Sequence, residues 1–227
     1  MKSRSSQAKT LALCSLFILA MAPCLYAHPI QGELDKLSKS AAVWIYLQLG
    51  FLHILPFGFD HILFILGLLL LSPKLKTILW QATAFTVAHS ITLALAMYHV
   101  VTPPTAIIEP LISLSILYVA LENIVSPKLR PARIGVVFLF GLIHGLGFAG
   151  ALVQLGLPKH AYLLSLLAFN LGVELGQATV ILLAWFILIR WLAQKPSYRK
   201  TIVIPFSIFI ALIAAVWTIQ RIALALI

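Results

Sequence analysis

The chain has 227 residues, of which 62% are hydrophobic and only 10% charged, with a mean hydropathy of +1.05 and a formal net charge of +10. A soluble domain is about half apolar and about a quarter charged. This composition therefore excludes a soluble enzyme, a disordered chain and a nucleic-acid-binding module, and describes an all-α polytopic bundle whose main solvent is the lipid bilayer.

In chain order, Lys2, Arg4 and Lys9 precede an apolar run that closes on small residues at Ala27. That is the layout of a secretory signal peptide over 1–27, with cleavage after Ala27. Pro23 before Cys24 argues against a lipoprotein cut. Both cysteines, Cys14 and Cys24, fall in this leader, so a mature chain has no thiol and any metal site must use nitrogen and oxygen donors. A short periplasmic segment, 28–40, follows, and the membrane domain fills 41–227.

The first apolar region, 41–71, is too long for one straight span and is interrupted by Pro56-Phe57-Gly58. It predicts a helix, a break and a second helix. Further spans are predicted at 78–100, 106–125, 134–155, 161–190 and 202–226, giving about six in all. Lys74, Lys76, Lys128, Arg130, Arg133, Arg190, Lys195, Arg199 and Lys200 lie in or beside alternate loops, against Lys159 alone in the others. The positive-inside rule places the three basic loops in the cytoplasm and the mature N-terminus in the periplasm of a bacterial inner membrane.

Ionisable side chains at membrane depth are costly and mark function when they face the bundle interior. His53, Asp60 and His61 lie in the first region, His89 in the second span, His144 in the fourth and Glu174 in the fifth. Together they are imidazoles and carboxylates from four spans, a donor set that suits Ni²⁺, Co²⁺, Zn²⁺ or Fe²⁺ rather than Cu⁺. Supporting polar groups are Thr86 and Ser90 beside His89, and Asn170 and Gln177 on the Glu174 helix face. Gly141 and Gly145, and Gly172 and Gly176, have the spacing that lets helices approach closely. At the rims, Glu109, His99 and His160 are candidates for a collecting mouth, and Glu122 is expected to pair with Lys128 or Arg130.

The runs Gly50-Phe51-Leu52-His53-Ile54-Leu55-Pro56-Phe57-Gly58-Phe59-Asp60-His61 and Phe85-Thr86-Val87-Ala88-His89-Ser90 resemble the HupE/UreJ membrane proteins, specifically their second branch. Gly141-Leu142-Ile143-His144-Gly145-Leu146-Gly147-Phe148-Ala149 and Phe169-Asn170-Leu171-Gly172-Val173-Glu174-Leu175-Gly176-Gln177 extend the resemblance in the same order. The His53…Asp60-His61 pattern is also similar to the His-x4-Asp-His signature of nickel–cobalt transporters, with six residues in the gap here. The resemblance implies a nickel or cobalt permease.

The expectation is a divalent-metal permease in which Ni²⁺, Co²⁺ or Zn²⁺ is substrate or bound ion. Its partners are the lipid bilayer, the ion and a metalloenzyme maturation protein. Two alternatives stand beside it. One is an intramembrane hydrolase, using Ser90 with His144 and Asp60 or a histidine-bound zinc. The other is an accessory protein that delivers metal.

Overall fold

A computed structural model describes residues 34–226. The leader 1–27 and the start of the 28–40 segment lie outside the described residues.

Ser38 opens the first helix, its hydroxyl accepting from the Ala41 amide at 3.2 Å, and α1 runs Lys39–Ile54. Proline at position 56 disfavours helical geometry at Leu55, which is extended. Gly58 then packs against the His53 carbonyl, where a side chain would collide. The chain restarts as α2, Phe59–Leu71, bent 64° from α1. The remaining helices are α3 (Leu75–Met97), α4 (Thr105–Val125), α5 (Arg133–Leu155), α6 (Tyr162–Ala184) and α7 (Ile204–Ala225).

A 3-10 turn precedes α6, and a π-turn at Trp185–Ile189 extends it, so its helical run is Lys159–Leu192. Another π-turn, Arg199–Val203, is wound onto the start of α7. Five of these runs are long and apolar enough to cross a membrane, and the bent pair α1–α2 adds a sixth when taken as one broken span. The protein is thus a multi-pass helical membrane protein, and no strand occurs among the described residues.

The bundle is built from three tight pairs, α1 with α6, α3 with α5 and α4 with α7, around α2. Beyond Asp60 and His61, α2 is apolar on every side, and Phe64, Ile65, Leu68, Leu69 and Leu70 are all buried, as a central helix requires. Glycines set the pair spacings. A Cβ at Gly50 or Gly172 would strike the backbone of the facing helix at Phe169 or Leu47, and one at Gly176 would strike Ile54. Gly141 and Gly145 let α5 lie on the carbonyls of Phe85 and His89, while Thr92 Oγ1 donates across to Leu142 O at 2.8 Å.

The end of the bundle that carries the basic loops is tied by polar contacts. Arg133 is buried at the start of α5 and pairs with Glu122 at 3.3 Å. It also donates to Asn123 Oδ1 at 3.1 Å, and Asn123 in turn donates to Gly67 O at 2.7 Å. Glu122 was expected to pair with Lys128 or Arg130. Arg133 is its partner because the first turn of α5 aims it inward, whereas the loop bases face out. Arg199 satisfies the last carbonyls of α4, donating to Asn123, Ile124 and Ser126 at 2.8–3.1 Å. In the loop before it, Tyr198 donates to Leu70 O, and burial pushes its hydroxyl up to about 12, so it stays a donor.

At the opposite end α3 stops at Met97, short of the expected 100. His99 takes the left-handed conformation (φ 58°), its amide bonds Ala96 O and the Val100 amide bonds Leu95 O. This is the helix-ending arrangement usually given to glycine. His99 and His160 are both exposed.

Candidate metal centre

The bend at Pro56–Gly58 builds the centre. On one straight helix His53 and His61 would stand about 12 Å apart along the axis. The break folds α2 back so that their rings lie 4.7 Å apart, edge to face. His89, midway along α3, brings its ring to 6.2 Å from His53 and 6.0 Å from His61. The ligand nitrogens of His53, His61 and His89 all lie within 4.8 Å of one another. His144, on α5, stands 5.0 Å from His61 on the far side. It is not one of the three mutually close ligands.

Five ring nitrogens in this cluster are buried without a hydrogen-bond partner among the described residues: His53 Nε2, His61 Nε2, both nitrogens of His89, and His144 Nδ1. Each such group ordinarily costs about 1–3 kcal/mol, so their gathering in one place calls for a ligand. Phe64, Phe85, Phe148 and Phe169 wall the cluster, with Phe148 3.9 Å from the His53 ring. The donor set is imidazole walled by phenylalanine rings, which suits borderline divalent metals. Metal–nitrogen bonds of about 2.0–2.1 Å need nitrogens roughly 3.4 Å apart, so the rings must close by an ångström or so on an ion.

His144 is oriented by a residue the sequence reading passed over. Ser115 Oγ lies 2.6 Å from Ile112 O and 2.9 Å from His144 Nε2, so it bridges the two. With the ring hydrogen on Nε2, the Nδ1 lone pair is left free.

The carboxylates lie apart from the imidazoles. Asp60, one residue before His61 and so turned to another face, pairs with Arg221 at 2.8 Å. Arg221 also pairs with Glu109 at 3.2 Å and donates to that residue's carbonyl. Glu174 accepts from Thr83 Oγ1 at 3.1 Å, and Gln177 accepts from Thr86 Oγ1 at 3.0 Å. Ser90 donates to Thr86 O at 2.7 Å. Asn170 neighbours His89 and leaves its Oδ1 unpartnered among the described residues. α6 thus lays a polar seam, Asn170, Glu174 and Gln177, from the histidines toward the basic-loop end.

A cavity of about 650 Å³ leads to the cluster from the other end. His53, His61 and His144 form its floor, Asp60, Glu109 and Arg221 stand on one side, and Leu49, Phe57 and Trp217 are among its apolar walls. Neither Arg221 nor Ser115 was singled out from the sequence. An arginine inside an otherwise apolar final span was the available signal for the first. Nothing local marked the second.

A family model described as HupE / UreJ protein matches residues 31–221. No curated protein and no solved structure matches the chain. The matched stretch covers most of the sequence, including every residue of the histidine cluster and its vestibule, and the chain belongs to the HupE/UreJ family.

Proposed function

We propose that the protein is an inner-membrane permease for a divalent transition metal ion of the nickel or cobalt type. The observation that carries this reading is the set of His53, His61 and His89 nitrogens within 4.8 Å of one another, buried and short of partners. The vestibule above them opens at the end opposite the nine basic residues. By the positive-inside rule that end is periplasmic, which supports uptake, and agrees with the proposed leader over 1–27.

In this reading a hydrated ion reaches the vestibule and exchanges water for the three imidazoles, with His144 Nδ1 as a further nitrogen. It then moves along Asn170 and Glu174 toward the basic loops. The Asp60 carboxylate lies at the mouth, paired with Arg221. Membrane potential, worth about 2.3 kcal/mol per charge per 100 mV, favours inward movement of a dication. No phosphate-binding GxxxxGK[ST] run occurs in the sequence, so the potential is the driving force assigned.

The hydrolase alternative finds less support. The Ser90 hydroxyl this alternative needs donates to Thr86 O at 2.7 Å rather than to a histidine. Ser115 does lie 2.9 Å from His144 Nε2, but Asp60, the carboxylate of the expected triad, is paired with Arg221. Flux into proteoliposomes containing only the purified protein tests the proposal. Accumulation of Ni²⁺ or Co²⁺ that is lost in His61→Ala supports a permease. Tight metal binding without flux identifies the metal-delivery accessory instead.

A further inference from the structure

We infer that Arg221 is a specificity-determining residue: its guanidinium occupies Asp60 and Glu109 and so denies the vestibule a binding site for hard divalent cations such as Mn²⁺, Mg²⁺ or Ca²⁺. The inference rests on the metal-permease reading and adds to it the basis of ion choice at the mouth.

Asp60 from α2 and Glu109 from α4 reach the same guanidinium, at Nη2 and Nε respectively, over 2.8 and 3.2 Å. The two atoms they contact belong to one rigid, planar group, so the carboxylates are neighbours across a single cation. Both line the cavity whose floor is His53 and His61. Without Arg221, two carboxylates facing one partly wet cavity are the donor chemistry that Mg²⁺, Ca²⁺ and Mn²⁺ prefer. With it, one oxygen of each carboxylate is held and the guanidinium charge opposes a second cation, while the imidazole nitrogens nearby are unclaimed.

The placement is built rather than incidental. Arg221 also donates to the Glu109 carbonyl at 3.2 Å, and its guanidinium lies 5.7 Å from the Trp217 ring, one turn earlier on α7. Three helices and an aromatic face fix one side chain at the mouth. An ion that offers no bond to imidazole gains nothing beyond this point, while a borderline metal continues to the histidines.

The test is Mn²⁺ binding to the purified full-length protein, read by electron paramagnetic resonance. R221Q and R221M, the second keeping the stem's bulk, should each tighten Mn²⁺ binding by about tenfold or more over wild type, with Mg²⁺ competing. Adding D60N and E109Q to either variant should abolish the gain. R221K keeps one charge but loses the fork, and its gain should be smaller. Wild-type Mn²⁺ affinity in the folded variants, or a gain that survives D60N/E109Q, overturns the inference. Ni²⁺ binding by the wild type reads the proposed function separately, so either can fail without the other.

Discussion

His89→Leu separates the cost of the histidine cluster from its use. The His89 ring is fully enclosed, and neither nitrogen has a hydrogen-bond partner among the described residues. Each unsatisfied group costs about 1–3 kcal/mol, and a leucine of similar bulk costs under about 1.5 kcal/mol in repacking. The metal-free variant should therefore be more stable than wild type by about 1–3 kcal/mol, the pattern of a residue kept for function at the expense of stability. Ni²⁺ at a hundred times its dissociation constant should stabilise wild type by about 2.7 kcal/mol. It should stabilise His89→Leu far less, because one of three ligands is gone. Equilibrium unfolding in detergent micelles, with and without Ni²⁺, reads both effects. A metal-free variant less stable than wild type would overturn this expectation. So would undiminished stabilisation by Ni²⁺.

Gly145→Ala places a methyl against the His89 carbonyl, forcing α5 away from α3. It should cost about 1–3 kcal/mol in thermal unfolding and weaken Ni²⁺ binding as well. Arg133→Met strands the nearly buried Glu122 carboxylate. A loss of about 3–5 kcal/mol is expected, largely restored by adding Glu122→Gln. His99→Gly relieves a left-handed backbone at the end of α3 and should raise stability by about 1 kcal/mol without changing metal affinity. An unchanged or lowered melting temperature would contradict that assignment.

The spans were legible because lipid demands long apolar runs, and the observed helices begin and end within a few residues of the expected limits. The break was legible for an equally local reason, a proline and a glycine within three residues. Glu122 shows where local reading stops. Its nearest bases in sequence lie in a loop, while its partner is set by the phase at which α5 begins. Asp60 and His61 show the same from another side. Adjacent residues on a helix point about 100° apart, so only one of them can face His53, and a bend of 64° removes the phase that would say which. Arg221 meets Asp60 from 161 positions away, a distance no periodicity spans. His99, a candidate for the collecting mouth by its place at the rim, ends α3 in the left-handed conformation, which its residue type does not announce.

In the proposed permease His53, His61 and His89 share one divalent ion. X-ray absorption at the nickel edge of the Ni²⁺-loaded protein reads that coordination. At least three imidazole nitrogens at about 2.0–2.1 Å are expected, with no sulfur and with loss of an imidazole contribution in each single His→Ala variant. A spectrum of oxygen ligands alone, unchanged when the histidines are replaced, would contradict it.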